Sequence, residues 1–207
     1  MLHLSDQRLD MQAWNAAALA AVMLGAGAVT RHRVEARSVK RGDRPPIGPD
    51  SVLDDDTRPH TLHRAIAGWQ PSRPHSRLGQ VLAAVWSSPL TCAGVTMAAL
   101  GGQLPTVRRD AGCLVAVNLR GPAGAFLAGQ GAAAATLGQL VIVRAPAVRT
   151  RLLAHEVVHV RQQERLGPLF ALAYPLAQLR WGYRANPFEI AARRGAANSI
   201  SEPATPS

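Results

Sequence analysis

Residues 150–168 read TRLLAHEVVHVRQQERLGP. Apolar residues recur here at helical spacing, and the run closes on a Gly-Pro pair. Gly167 suits the left-handed position just past a helix end, and Pro168 has no N–H with which to continue. The stretch predicts a helix over 150–166. Within it, His155-Glu156-Val157-Val158-His159 sets two histidines four positions apart. Residues i and i+4 lie about 40° apart around an α-helix, so both imidazoles leave one face, a turn apart. Two neutral imidazole nitrogens so placed can share one Zn2+ at about 2.0–2.1 Å. Glu156 stands about 100° round the helix. From there it can take the proton of a metal-activated water and pass it to a leaving group without being a ligand.

A third ligand must come from elsewhere. Beyond His159 the chain has no His, Cys or Asp, and Gln162 and Arg165 fill the later positions of the H-E-x-x-H-x-x-G-x-x-H variant. Glu164, Glu189 and Glu202 remain. Glu164 faces away from the histidines, and Glu202 lies in an aperiodic tail. Glu189 is the candidate ligand. It has a rival reading: Asn186-Pro187-Phe188-Glu189 also spells a helix start, with Asn186 as cap and Glu189 bonding back to it. Tyr183, just upstream, is a candidate to stabilise an oxyanion, with simple packing as the plainer reading. Gln162 and Gln163 read as ordinary helix surface, and Cys92 and Cys113 as small buried hydrophobes.

Upstream, LVIV at 140–143 is β-branched and strand-like. GQLPTV and CLVAVNL flank Arg108-Arg109-Asp110-Ala111-Gly112, a turn with Gly112 at the position needing positive φ. Residues 121–138, rich in Gly and Ala, read as a connector, and further helical pieces are expected over 169–179 and 187–196. The fold class is α/β, of the α+β kind. It is expected to be a small zincin-like domain with a short sheet, the H-E-x-x-H helix and a following helix that carries Glu189.

The chain has 207 residues and a formal net charge of +10, and every basic residue except Lys40 is arginine. The arginines are scattered and aromatics are 4%, so a specific nucleic-acid partner is not expected. Residues 11–30 carry no charge and are long enough to cross a bilayer; residues 78–107 are also uncharged. The expected organisation is an extension over 1–77, with a candidate membrane helix at 11–30 and then an irregular linker. The domain follows over 78–196, including an apolar helix at 78–101, and then a disordered tail over 197–207. Membrane association is the expected location, with the side left open.

From His155 to Arg194 the chain reads HEVVHVRQQERLGPLFALAYPLAQLRWGYRANPFEIAARR. It resembles the gluzincin type of zinc metallopeptidase, an H-E-x-x-H followed by a helical glutamate. More narrowly, it is similar to a family of membrane-associated bacterial proteins. These share an HE-x-x-HV-x-Q-x-x-R-x-G motif, an apolar Ala-Tyr segment and an Asn-Pro-Phe-Glu block. The resemblance implies zinc held by His155, His159 and Glu189, with Glu156 as base, and supplies no substrate; the expected function is zinc-dependent hydrolysis of a peptide bond in a peptide or protein substrate. In such folds a strand before the motif helix often pairs with an extended peptide, which makes Gln139, Leu140, Val141, Ile142 and Val143 the candidate substrate edge. The alternative is a zincin-like membrane or scaffold protein whose metal site is structural.

Overall fold

The computed structural model describes residues 61–201; the candidate membrane run at 11–30 and residues 202–207 lie outside the described residues. Helix α1 (Thr61–Ala67) leads to α2 (Arg77–Leu100), then β1 (Thr106–Arg108), β2 (Cys113–Ala116), α3 (Gly121–Gly129), β3 (Ala134–Leu137) and β4 (Leu140–Val143). The motif helix α4 (Thr150–Leu166), a 3-10 turn (Gly167–Leu169), α5 (Phe170–Ala185) and α6 (Pro187–Ser201) complete it. The architecture is mixed α/β, as expected.

The sheet order is β1-β2-β4-β3, with β4 parallel to β2 and antiparallel to β3. Side chains alternate across a strand, and on β4 both sets are covered. Leu140 and Ile142 pack with Ala98, Leu119 and Leu127 under α2 and α3, whereas Val141 and Val143 pack with Leu153 and Val160 of α4. All four β4 residues have no solvent exposure, and burial of each stabilises by about 1.5–3 kcal/mol. Gly112 has φ 60°, as the β1–β2 turn requires.

Several boundaries differ from expectation. The stretch 121–138 is a helix and a strand: Ala123 and Leu127 of α3 pack with Leu137, Leu140 and Ile142, and Gly124 leaves room for the Leu119 carbonyl, which a Cβ there would meet. The domain begins before residue 78: Ile66 and Trp69, at the end of the supposed linker, pack with Leu90, Phe170 and Phe188. The last helix runs on to Ser201, so 197–201 is helical and not tail.

Helix α2 shows how an uncharged, proline-bearing run stays helical. Pro89 cannot donate to the Val85 carbonyl, and the Ser88 hydroxyl donates to that carbonyl instead at 2.7 Å. One face of α2 (Ser87, Leu90, Gly94, Ala98) is buried, and Gly94 lets Leu137 approach. The other face leaves Leu78, Leu82 and Val85 exposed. By length and composition α2 could cross a membrane, but a third of the apolar window is buried in the domain.

Candidate metal centre

Helix α4 carries the site because its apolar face is fixed on the sheet through Leu153 and Val160. That turns His155 and His159 toward α6. Helix α6 starts on a satisfied cap: Asn186 Oδ1 accepts from the Phe188 N–H at 3.1 Å. Glu189 is therefore not needed at the helix start, and its side chain turns to the histidines. His159 Nε2 lies 3.2 Å from Glu189 Oε1, and His155 Nε2 lies 3.4 Å from Oε2. Two ligand atoms each about 2.05 Å from one ion, at the tetrahedral angle, lie about 3.3 Å apart. His155, His159 and Glu189 are thus near enough to hold a metal ion together.

An orphaned atom makes the same point. Glu189 Oε2 is buried and has no hydrogen-bond donor; His155 stands at ion-pair distance without the geometry of a hydrogen bond. A buried carboxylate lone pair left unpaired costs about 1–3 kcal/mol or more, which a cation at this point would remove. Oε1 is better served, accepting from the Tyr174 hydroxyl at 2.6 Å. In the metal-free protein, burial pushes the Glu189 carboxyl up, yet His159 and His155 hold it well below the usual carboxylate range. Burial likewise works against a charge on His159, but Glu189 beside it carries that imidazole up to about 9. Burial and the Glu189 charge raise the Tyr174 phenol well above its ordinary value, so it remains a neutral donor.

Gln162 and Gln163 are not surface residues, contrary to expectation; both are buried. Gln162 Nε2 faces the Phe188 carbonyl at 3.5 Å, and its Oε1 lies 2.9 Å from His159 Nδ1. A carbonyl only accepts, so the amide N–H2 belongs on that side and the amide oxygen faces the ring. With a metal bound, His159 would keep its proton on Nδ1, donated to Gln162, and offer the Nε2 lone pair to the ion; without one, the imidazole raised to about 9 also carries a proton on Nε2 toward Glu189. Gln163 accepts from the Gly138 N–H at 2.6 Å and donates to the Thr136 carbonyl at 3.0 Å, clamping the β3–β4 turn. Thr136 in turn donates its hydroxyl to Glu156 Oε2 at 2.6 Å. Glu164 faces away from the histidines, paired with the buried Arg161 at 2.8 Å.

These groups line one cleft of about 720 Å3, which contains His155, Glu156, His159, Glu189 and Tyr183 together with β3. Tyr183 reaches the cleft wall just after Gly182, whose φ of 75° breaks α5. The predicted substrate edge is corrected: Leu140–Val143 is hydrogen-bonded on both sides and offers no free edge. The open edge beside the site is β3, Ala134–Leu137, which the sequence concealed among small residues.

Fold and site define an α+β domain whose H-E-x-x-H helix meets a glutamate from a later helix. A family model for the eCIS core domain matches residues 104–167, which hold the whole sheet and α4. The matched region includes His155, Glu156 and His159 and stops before Tyr174 and Glu189. The gluzincin resemblance gains no support from it, since no peptidase family matches. No curated protein and no solved structure matches the chain.

Proposed function

We propose that this domain is a zinc-dependent hydrolase of peptide bonds. The observation that carries the reading is the His155–His159–Glu189 cluster, whose candidate ligand atoms all lie within 4.8 Å of one another, with Glu156 in the same cleft. His155, His159 and Glu189 would hold the ion through two imidazole nitrogens and a carboxylate, a donor set that suits zinc. Bound there, zinc would supply Lewis acidity, lowering the pKa of water toward about 7 and polarising a carbonyl.

The chain's own residues do the rest. Glu156 takes a proton from the attacking water and delivers it to the amine as the carbon–nitrogen bond breaks. The Thr136 hydroxyl holds one Glu156 oxygen, which leaves the other for the water. Strand β3 is the sheet edge beside the cleft, where an extended peptide can pair around the Thr136 carbonyl that Gln163 already occupies. Tyr183 on the cleft wall is the candidate donor to the developing oxyanion. Glu156→Gln tests the reading: peptide hydrolysis is abolished while zinc stays bound at one ion per chain. Turnover retained in that variant overturns it.

The match to an eCIS core domain favours a second reading, in which the same site is structural within a module of an extracellular contractile injection system. In that case Glu156→Gln is silent and chelation unfolds the protein. We also propose that the domain rests on a membrane surface and does not span it. One face of α2 is committed to the sheet, while Leu82 and Val85 of α2 and Leu172, Leu176 and Leu179 of α5 are exposed. Flotation with anionic vesicles, lost on Leu172→Glu/Leu176→Glu, checks this.

A further inference from the structure

The rim of the cleft is one-sided in charge. Arg149, Arg151 and Arg193 line it, and the carboxylates of the lining are Glu156 and Glu189, both engaged at the floor. Arg193 is partly committed, lying 3.9 Å from Glu189 Oε2 and donating to the Arg184 carbonyl. Arg149 and Arg151 are exposed, and among the described residues neither side chain makes an ion pair or hydrogen bond. Gly131 to Ala135, which also line the cleft, bring no charge of either sign.

Their position makes the charge costly for the fold. Both stand at the start of α4, where Arg149 is the cap residue with no capping bond and the first turn holds no acid. The N-terminal end of a helix is its positive end and favours acids there. Two cations at that end weaken the helix that carries the site, so their role is sought outside the fold, in the cleft they border.

We infer that the cleft selects peptides with acidic side chains close to the scissile bond, held at the rim by Arg149 and Arg151. This rests on the peptidase reading for the word scissile, though not for the binding. A carboxylate entering along β3 meets guanidinium groups that present forked donors matched to its two oxygens. It also satisfies the positive end of α4. A lysine-bearing peptide meets repulsion at the same place, so discrimination works in both directions.

Binding is read with the zinc-loaded Glu156→Gln variant, by fluorescence anisotropy of three labelled peptides of equal length carrying Glu, Gln or Lys at the varied positions. The Glu peptide is expected to bind about fivefold or more tighter than the Gln peptide, and the Lys peptide weakest. Arg149→Gln/Arg151→Gln removes the preference, and Arg149→Glu/Arg151→Glu inverts it while raising the melting temperature, because acids suit that helix end. Arg109→Gln/Arg120→Gln, an equal charge loss outside the cleft, leaves the preference in place. Equal binding of the Glu and Gln peptides, or an equal loss in the outside pair, overturns the inference. Selective binding by the variant with no cleavage of any peptide by the zinc-loaded wild type ends the peptidase reading and leaves the acid-selective cleft standing.

Discussion

Replacing Gln162 by Leu keeps the side chain's approximate volume and removes the acceptor at His159 Nδ1, 2.9 Å away. In the metal-free chain His159, raised to about 9, already holds a proton on Nε2 toward Glu189, 3.2 Å distant, and can relieve the lost acceptor by giving up the proton on Nδ1. Zinc does not allow that escape. It requires the Nε2 lone pair, which forces the proton onto Nδ1 and leaves an unpaired N–H in a buried site. A buried donor without a partner costs about 1–3 kcal/mol, a weakening of about 5-fold to 150-fold in zinc affinity. That range agrees with the roughly 10- to 100-fold typical of groups that orient a metal-binding histidine. The assay is competition for zinc against a chromophoric chelator at pH 7, with thermal melts in excess chelator as the control for folding. An unchanged zinc affinity in Gln162→Leu, alongside a large loss in Glu189→Ala, would refute the tautomer argument.

Other perturbations separate the remaining roles. Thr136→Val removes the hydroxyl 2.6 Å from Glu156; it is expected to lower kcat at least tenfold with zinc affinity unchanged, as steady-state kinetics and elemental analysis will show. In the metal-free protein the His159–Glu189 pair stabilises fully between the ordinary glutamate and histidine values of 4.5 and 6.5. The contribution of raised His159 is lost as pH climbs through about 9, and that of lowered Glu189 as pH falls below its depressed value. Melting temperatures in chelator across pH should fall on both sides of that window, and Glu189→Gln should flatten the profile. Gly167→Ala puts a Cβ at φ 53° and against the Trp86 indole; a loss of about 1–3 kcal/mol in urea unfolding is expected, with altered tryptophan fluorescence.

What could be read from the residues was what local chemistry decides. The motif helix ends where Gly167 and Pro168 stop it, because both act on the backbone beside them. The choice of Glu189 needed only that acids are scarce beyond His159. The two glutamines were misread because glutamine is usually exposed, although Gln162 and Gln163 lie three and four positions after His159 and so share its face. The edge strand was misplaced for a different reason. Four successive apolar residues at Leu140–Val143 fit a strand covered on both faces, which belongs inside a sheet. The true edge, Ala134–Leu137, has little side-chain bulk to mark it, and its pairing is set by β4. The Tyr174 bond to Glu189 depends on how α5 folds back over α4, and no local pattern encodes that.

The described residues contain two free cysteines, Cys92 and Cys113, and no disulfide. An ion held by His155, His159 and Glu189 would close a loop of chain running through α5, joining the C-terminal helix to the part that matches the family. Loop closure restricts the unfolded ensemble as a covalent bridge does, and binding energy released on assembly of the site becomes folding energy. Unlike a sulfur bridge, this fastening answers to free metal concentration and not to redox state. The docking of α6 would then follow the supply of a cation, tightening when it is plentiful and relaxing when it is withdrawn.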